Sequence, residues 1–414
     1  MGTVSRLLEG VRVLESAMLF NGDTLGTLLA DLGADVIKVE SPGTGDYLRG
    51  FLGQITPQHS PAHIQVNKNK RSITLDLRRD EGRALFYELL STADVFVDGF
   101  AGDACTKLGI GYAQQRAAKP DIVYCQYSGY GSEGPLASMP THGQMTNALA
   151  GALPVEMGPD GLVRRVQTPD YLGGTTSGGE GTAAGAVHAA FHVAAALFQR
   201  ERTGEGCFLD AAASDAVIAQ AWIAVTYNLN RDRVTDHATM PRTEEGDSGS
   251  AFYQFYEARD GRFLLFCATE PKFWRGFCLA VDRADLIDRL DTGGPVDFGF
   301  GLLGLRRELQ KIFHTRDADE WVALALTHHV PLTRANRLRD LLDDPHVRAR
   351  GILVEGEHPL AGPFTYVGEA VRVQGQPWEL RRPAPTLGQH TDELLAEIGH
   401  GPQDVAALRA AKIV

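Results

Sequence analysis

The sequence predicts an α/β fold in which helices flank a parallel sheet. Short β-branched or alternating runs predict strands at residues 11–14, 36–39, 72–77, 95–97 and 122–126. Helical spacing lies between these runs, at residues 24–32 and 80–90, and Gly33 stands where a helix commonly ends in glycine. Strands that alternate with helices are typical of parallel sheets, because each parallel connection needs a crossover.

A second, smaller α+β domain is predicted at residues 251–330. Polar sequence without periodicity precedes it at residues 228–250 and is typical of a linker. Two apolar runs, 252–257 and 262–267, flank the turn Arg259-Asp260-Gly261 and predict a hairpin. Helical spacing follows at residues 272–281, 304–313 and 318–326, and an alanine-rich helix is predicted earlier, from about residue 210 to 225.

Composition narrows the classes of function. The chain has 414 residues and a net charge of -12, which argues against a nucleic-acid partner held by phosphate contacts. Five cysteines are scattered without a CxxC pair, which favours neither a disulfide framework nor a zinc site and suits a reducing cytoplasm. The longest apolar run, residues 185–198, is too short to span a bilayer, so we expect a cytoplasmic protein without a membrane partner.

The stretch from residue 129 to 174 holds the candidate chemistry. Asp170 precedes a glycine-rich run that lets the backbone approach a ligand, so its carboxylate could act as a nucleophile or a base. The same residue type commonly caps a turn or helix, and residue type alone leaves both interpretations open. A basic run (Lys68, Lys70, Arg71, Arg78, Arg79) indicates either a solvated face or a site that attracts phosphates.

Two further patterns give weak signals. His188 and His192 are four apart on a predicted helix, but their apolar neighbours and the lack of a third ligand favour packing over metal binding. Gly179-Glu180-Gly181 with Gly185 could suggest a dinucleotide loop, yet no apolar strand leads into it. We therefore predict no metal site, and a dinucleotide-dependent oxidoreductase is the weakest of the functions considered.

Several ordered motifs carry a resemblance to a known family. VRVLES, LLADLGADVIKVESPGTGDYLR, NKNKRSITLDLR, ADVFVDGF, KLGIGY and YSGYGSEGP occur in the first third of the chain, and DDPHVRARGILVE and APTLGQHTDELLAEIG near its end. In order and spacing this set resembles the family III CoA-transferases (CaiB/BaiF), which include formyl-CoA transferase, the carnitine-CoA enzymes and α-methylacyl-CoA racemase. The resemblance covers nearly the whole chain.

The resemblance implies an architecture and a binding site for CoA. The fold would be an interlocked homodimer whose Rossmann-like large domain combines residues 1–227 with a return segment, residues 331–414. The family's CoA-contacting positions fall on Asn21, Leu75, Arg78, Phe100, Ala104 and Lys107. This chain departs from the family pattern at Asn21-Gly22-Asp23, where Ala-Gly-Pro is usual, and at Gly99, where asparagine is usual.

The resemblance also implies a catalytic aspartate at Asp170. In transferases that residue carries CoA as an aspartyl thioester between an acyl-CoA donor and a carboxylic acid acceptor, with no permanently bound cofactor. In the racemase branch it forms an acid/base pair with a histidine, here His142, which Glu270 would support. A glycine-rich insertion at residues 173–185 admits a rival alignment in which Glu180 takes the place of Asp170. A protein that binds CoA without catalysis is a further alternative.

Overall fold

The computed structural model describes residues 6–153, 155–165, 180–236, 250–290, 299 and 301–414. The chain divides into two compact units. The first combines Met1–Leu229 with Gly351–Val414, and the second is Asn230–Arg350. Asp170 and most of the glycine-rich insertion lie outside the described residues.

The first unit alternates strands and helices over much of its length. In chain order its elements are β1 (Arg12–Ser16), α1 (Phe20–Asp31), β2 (Asp35–Glu40), α2 (Pro61–Val66), β3 (Lys70–Thr74), α3 (Asp80–Leu90), β4 (Val95–Asp98), α4 (Ala104–Lys107), α5 (Tyr112–Ala118), β5 (Val123–Ser128), α6 (Met145–Leu149), β6 (Val155–Met157), β7 (Val163–Arg165), α7 (Glu180–Thr203), β8 (Cys207–Ala212), α8 (Ala213–Gln220) and α9 (Trp222–Leu229). The helix predicted from residue 210 to 225 is therefore a strand followed by two helices.

A six-stranded parallel sheet organises this unit. Its strand order is β3-β2-β1-β4-β5-β8, and every neighbouring pair is parallel. The predicted α/β class is thus confirmed. The order reverses between β1 and β4, and in open parallel sheets ligands bind outside the carboxyl ends of the strands at such a point.

Side chains alternate between the two faces of the sheet, as strand geometry requires. One face packs on α1 and α7, and its buried residues include Val13, Val36, Val95, Val123, Leu29 and Val193. The other face packs on α3 and on the C-terminal segment, and its buried residues include Leu14, Ile37, Phe96, Tyr124, Phe86 and Leu394. A sheet covered on both faces explains why the central strands are continuous apolar runs.

Helix α7 is longer than the apolar run from which it was predicted. By length and composition, Gly181–Thr203 could cross a bilayer, although the buried core helix of a globular domain can have the same properties. Ala186, Ala189 and Val193 of this helix are buried against the sheet. Packing on the sheet therefore accounts for one apolar side of α7.

After the second unit, the chain returns to the first unit and adds four elements to it. The second unit contains β9 (Tyr253–Glu257), β10 (Phe263–Cys267), α10 (Pro271–Ala280), α11 (Leu303–Phe313), α12 (Ala318–His328), β11 (Leu332–Arg334) and α13 (Pro345–Arg350). Its three strands form an antiparallel sheet around a core rich in aromatic residues, among them Phe266, Trp274, Phe277, Phe313 and Trp321. The returning elements are β12 (Leu353–His358), β13 (Gly362–Val367), α14 (Thr391–Glu397) and α15 (Pro402–Ala410).

Candidate functional site

A cavity of about 580 Å³ lies at the carboxyl ends of β1, β4 and β5. This is where the strand order of the parallel sheet reverses. Its wall is formed by Met18, Leu19, Phe20, Asn21, Thr24, Tyr47, Gly99, Phe100, Ala101, Ala104, Ser128, Gly129, Ser138, Pro140, Thr141, His142, Gly143, Thr182 and Ala183. None of these described residues is Asp, Glu, Lys or Arg, so this part of the wall offers neutral polar groups and apolar surface.

Two glycines allow the backbone segments beneath the cavity to approach one another. A Cβ atom at Gly22, in the first turn of α1, would lie 2.3 Å from the Cβ atom of Ala17. A Cβ atom at Gly99, directly after β4, would lie 2.5 Å from the same atom. Only glycine therefore fits both positions, and Gly99 is one of the two places where this chain departs from the family pattern.

Hydrogen bonds fix the wall on two sides. The Thr182 hydroxyl donates to Asn21 Oδ1 at 3.1 Å and so joins the first turns of α7 and α1. The Phe100 backbone N–H donates to Asp98 Oδ1 at 2.9 Å, and Gln126 Nε2 donates to the Phe100 carbonyl oxygen at 3.1 Å. Both backbone groups of Phe100 are therefore bonded, which fixes the main chain from which its side chain reaches the cavity.

Four of the residues singled out from the sequence meet in this cavity. Asn21 and Phe100 are half-buried, as is Ala104 in α4, and His142 is exposed. His142 lies on the loop before α6, where its backbone N–H contacts the Met145 sulfur at 3.4 Å. His142 is thus a cavity-lining residue that remains exposed to solvent.

Three predicted CoA contacts lie elsewhere in the first unit. Leu75 is 1% exposed and packs in the core beneath the sheet. Arg78 is exposed and pairs with Asp76 at 2.9 Å. Lys107 is also exposed, pairs with Asp103 at 2.7 Å, and lines a second cavity of about 710 Å³.

The basic run that suggested a phosphate site is divided by the structure. Lys68 pairs with Asp31 at 2.9 Å, Lys70 with Glu15 at 2.7 Å, and both ammonium groups are buried. Arg71 is 3% exposed at its side chain and pairs with carboxylates of α14. Only Arg78 and Arg79 of this run remain exposed to an anionic ligand.

Comparison with known proteins identifies the family. Residues 8–391 match the sequence profile described as CoA-transferase family III. The chain belongs to CoA-transferase family III. The resemblance stated from the motifs is therefore confirmed, as is the predicted enzyme class, a CoA-transferase.

Curated relatives of this family III chain carry CoA-transferase names. A formyl-CoA:oxalate CoA-transferase of Rhodopseudomonas palustris is 28% identical, covering 98% of this chain and 96% of the relative. A human succinyl-CoA:glutarate CoA-transferase is 29% identical, covering 94% and 86%. A succinyl-CoA:mesaconate CoA-transferase of Haloarcula hispanica is 31% identical, covering 95% and 97%.

Solved structures share the fold of this chain. A CaiB/BaiF family protein from Brucella suis superposes with a TM-score of 0.73 at 25% identity, covering 95% of this chain and all of that chain. Rv3272 from Mycobacterium tuberculosis gives a TM-score of 0.73 at 25% identity, covering 94% and 99%. The large common length shows that both units are part of the shared architecture.

The predicted catalytic residues of this family III chain are distributed unevenly. Asp170 lies outside the described residues, and Glu180, its rival, is the first residue of α7. Glu270 belongs to the second unit, where it precedes α10 and accepts a hydrogen bond from the Thr269 hydroxyl at 3.1 Å. Among the residues described, no group of three or more His, Cys, Asp or Glu is placed to hold a metal ion.

Part of the cavity wall was not predicted from the sequence. Met18, Leu19 and Phe20 follow β1, and Tyr47 lies on a short helical turn after β2. The available signal was positional, since residues just beyond the carboxyl ends of parallel strands are favoured ligand contacts. Apolar residue types at these positions gave no chemical signal of their own.

Proposed function

We propose that this family III enzyme transfers CoA from an acyl-CoA donor to a carboxylic acid acceptor through an aspartyl-CoA thioester on Asp170. The observation that carries the proposal is the cavity at the switch point of the sheet, whose wall includes Asn21, Phe100 and Ala104. The described residues of this wall include no Asp, Glu, Lys or Arg, which suits the uncharged pantetheine arm of CoA. Family membership supplies the reaction class.

The reaction divides one acyl exchange into steps that each conserve the number of bonds. The Asp170 carboxylate attacks the donor carbonyl carbon and releases CoA thiolate, which forms a mixed anhydride. The thiolate then attacks the aspartyl carbonyl carbon, so that the donor leaves as a free carboxylate and the thioester forms. The acceptor carboxylate attacks this thioester, and the released thiolate returns to the acceptor's acyl carbon while Asp170 is regenerated.

The proposed cycle requires no permanently bound cofactor, because CoA enters and leaves as part of the substrates. Each tetrahedral intermediate needs hydrogen-bond donors for its oxyanion. The first turn of α1 lies in the cavity wall, and its N-cap residue, Leu19, contributes no side-chain cap to the helix. The backbone N–H groups of the first turn of α1 are therefore candidates for polar contacts with the substrate.

Covalent trapping tests the proposal. Incubation with an acyl-CoA followed by borohydride or hydroxylamine should inactivate the wild type and leave a mass change on the peptide that contains Asp170. Asp170→Ala should lose both transfer activity and trapping. Glu180→Gln is the matched control, since it removes the rival carboxylate and should keep both. Trapping that survives in Asp170→Ala but not in Glu180→Gln would reassign the nucleophile.

Racemisation of a 2-methylacyl-CoA is a second candidate, because His142 lies in the wall of the same cavity. His142 and Asp170 would then remove and return the α-proton from opposite sides, with Glu270 supporting the histidine. Solvent deuterium should enter at C2 and be lost in His142→Ala, with Glu270→Gln reducing its rate. Absence of exchange in the wild type excludes this candidate. CoA binding with neither transfer nor exchange would indicate a protein without catalysis.

We further propose that two copies form an interlocked homodimer. Exposed apolar side chains on α7, α8 and α9 support this, because apolar patches of this kind commonly mark interfaces. They include Phe191, Phe198, Ile218, Trp222, Ile223 and Leu229. Light scattering should give a dimer mass, and Trp222→Asp should reduce it. We also propose a cytoplasmic location, which is consistent with five free cysteines.

A further inference from the structure

Leu19 has an unusual backbone conformation at the edge of the cavity. Its φ is 61° and its ψ is -150°, a region that is almost exclusively occupied by glycine. A leucine persists there only when its surroundings hold it in place. Leu19 and the preceding Met18 both line the cavity, so the strained segment is part of the wall.

The Asp46 carboxylate holds the strained residue. The Leu19 backbone N–H donates to both oxygens of Asp46, at 3.2 and 3.1 Å. Asp46 also accepts a hydrogen bond from the Leu48 N–H at 2.8 Å, which fixes the carboxylate on its own turn. Since Asp46 is 1% exposed, water does not compete for these bonds.

The Lys38 ammonium group links the Asp46 carboxylate to the same segment. The ammonium group lies 3.0 Å from Asp46 Oδ2 and donates to the Ala17 carbonyl oxygen at 3.0 Å. It also pairs with Asp23 in the first turn of α1. Ala17 and Leu19 are thus held by one buried ion pair, on either side of the cavity-lining Met18.

We propose that Asp46 is a positioning residue for the acyl-CoA cavity: its carboxylate fixes Leu19 in a conformation that sets the Met18–Leu19 wall against the pantetheine arm. The inference rests on the proposed function, since it assigns this wall to the substrate. Asp46 itself does not line the cavity, so it acts through the backbone of Leu19.

CoA binding, measured by titration calorimetry, tests this role without requiring turnover. Asp46→Asn keeps the size of the side chain but removes its charge, and CoA should bind about tenfold more weakly, as loss of a charge-assisted hydrogen bond implies. Glycine at position 19 adopts the observed conformation without strain. In a protein that already carries Leu19→Gly, adding Asp46→Asn should therefore weaken CoA binding by less than about threefold.

Leu19→Ala is the matched control, because it removes the same side chain but keeps the strain. Combined with Leu19→Ala, Asp46→Asn should again weaken CoA binding about tenfold. If Asp46→Asn only caused a general loss of structure, it would weaken CoA binding equally when combined with Leu19→Gly and with Leu19→Ala. That result would overturn the inference. So would unchanged CoA binding in Asp46→Asn.

A second measurement decides the matter if Asp46→Asn does not fold. Leu19→Gly should unfold at a higher temperature than Leu19→Ala, in contrast to an ordinary position, where alanine is the more stable residue. Equal or reversed stabilities would show that Leu19 is not strained and would overturn the inference. Failure of the wild type to bind CoA would instead overturn the proposed function itself.

Discussion

Thr182 and Asn21 connect two helices at the mouth of the cavity. The Thr182 hydroxyl, in the first turn of α7, donates to Asn21 Oδ1, in the first turn of α1, at 3.1 Å. Both residues line the cavity. Asn21 belongs to the segment in which this chain departs from the family's usual Ala-Gly-Pro, and alanine could not accept this bond. The departure therefore adds a link between α1 and the part of the glycine-rich insertion that forms the first turn of α7.

Thr182→Val should loosen this link while keeping the shape of the side chain. A neutral hydrogen bond contributes about 0.5–1.5 kcal/mol, so we expect the KM for acyl-CoA to rise roughly two- to tenfold with little change in kcat. Steady-state kinetics with varied acyl-CoA provide the measurement. Thr182→Ser keeps the hydroxyl and should behave as the wild type. A fall in kcat at constant KM would contradict a role in substrate binding.

Gly99→Ala should destabilise the first unit. The added methyl group would lie 2.5 Å from the Ala17 Cβ atom and 2.9 Å from its Cα atom, so the loops after β1 and β4 would have to separate. Overpacking of this kind costs about 1–3 kcal/mol. Urea unfolding monitors the loss, and CoA affinity should fall with it because both loops line the cavity.

Gly304→Ala is the control for that substitution. Gly304 lies in α11, and a Cβ atom there meets nothing within 4 Å. Alanine favours a helix by about 0.5–1 kcal/mol over glycine, so this variant should be slightly more stable than the wild type. If Gly99→Ala were equally harmless, the close approach at the floor of the cavity would be wrong.

Hydrophobic patterning predicted the centre of the sheet well and its margins less well. The strands at residues 95–97 and 122–126 are buried on both faces, and their apolar runs identify them. The third strand was predicted at residues 72–77 but begins at Lys70, because Lys70 and Arg71 are buried as ion pairs that an apolar pattern does not reveal. The sixth strand, β8, was missed. It pairs only with β5, and its residues alternate between half-buried and exposed.

In the candidate site, too, the sequence indicated which residues matter but not which of them are buried by contacts with distant parts of the chain. Motif resemblance singled out Asn21, Phe100 and His142, which are far apart in sequence, and the structure brings them together in one cavity. It could not distinguish the buried lysines of the basic run from its exposed arginines. That distinction depends on the partner carboxylates, which come from distant parts of the chain such as α14.

Two arginines of the basic run should therefore respond differently to the same substitution. Arg71 is buried and its guanidinium contacts Glu393 at 2.8 Å and Glu397 at 2.5 Å, which joins β3 to α14. Arg71→Gln should cost about 2 kcal/mol, less than the full penalty for a buried pair because the carboxylates are partly exposed. Thermal unfolding should show the loss.

Arg78→Gln should leave the unfolding temperature unchanged, because the Arg78 side chain is 75% exposed. It should weaken CoA binding about threefold, in line with the small energies of exposed ion pairs. Dephospho-CoA, which lacks the 3′-phosphate, should bind Arg78→Gln and the wild type equally. An equal loss for both ligands would mean that Arg78 does not contact that phosphate.

The stability contributed by Asp46 should depend on pH in a defined window. Burial alone would raise the pKa of the Asp46 carboxyl group, but Lys38 and the N–H groups of Leu48 and Leu19 outweigh it and lower the pKa to about 2, from 3.8. Because the folded-state pKa is lowered, the contribution is fully present above the unfolded value and is lost as the pH falls from about 4 to 2. The difference between the folded and unfolded pKa values corresponds to about 2 kcal/mol of unfolding free energy.

Asp46→Asn should therefore be less stable than the wild type by about 2 kcal/mol at pH 7, and the gap should narrow below about pH 4. Urea unfolding of both proteins between pH 7 and pH 3 measures it. Asp340→Asn is the comparison. Asp340 pairs with Arg337 at the surface, whereas the ion pair between Asp46 and Lys38 is buried and therefore stronger. That variant should lose little stability at any pH. A gap for Asp46→Asn that is constant across the whole range would show that the carboxylate is not ionised against Lys38 in the folded protein.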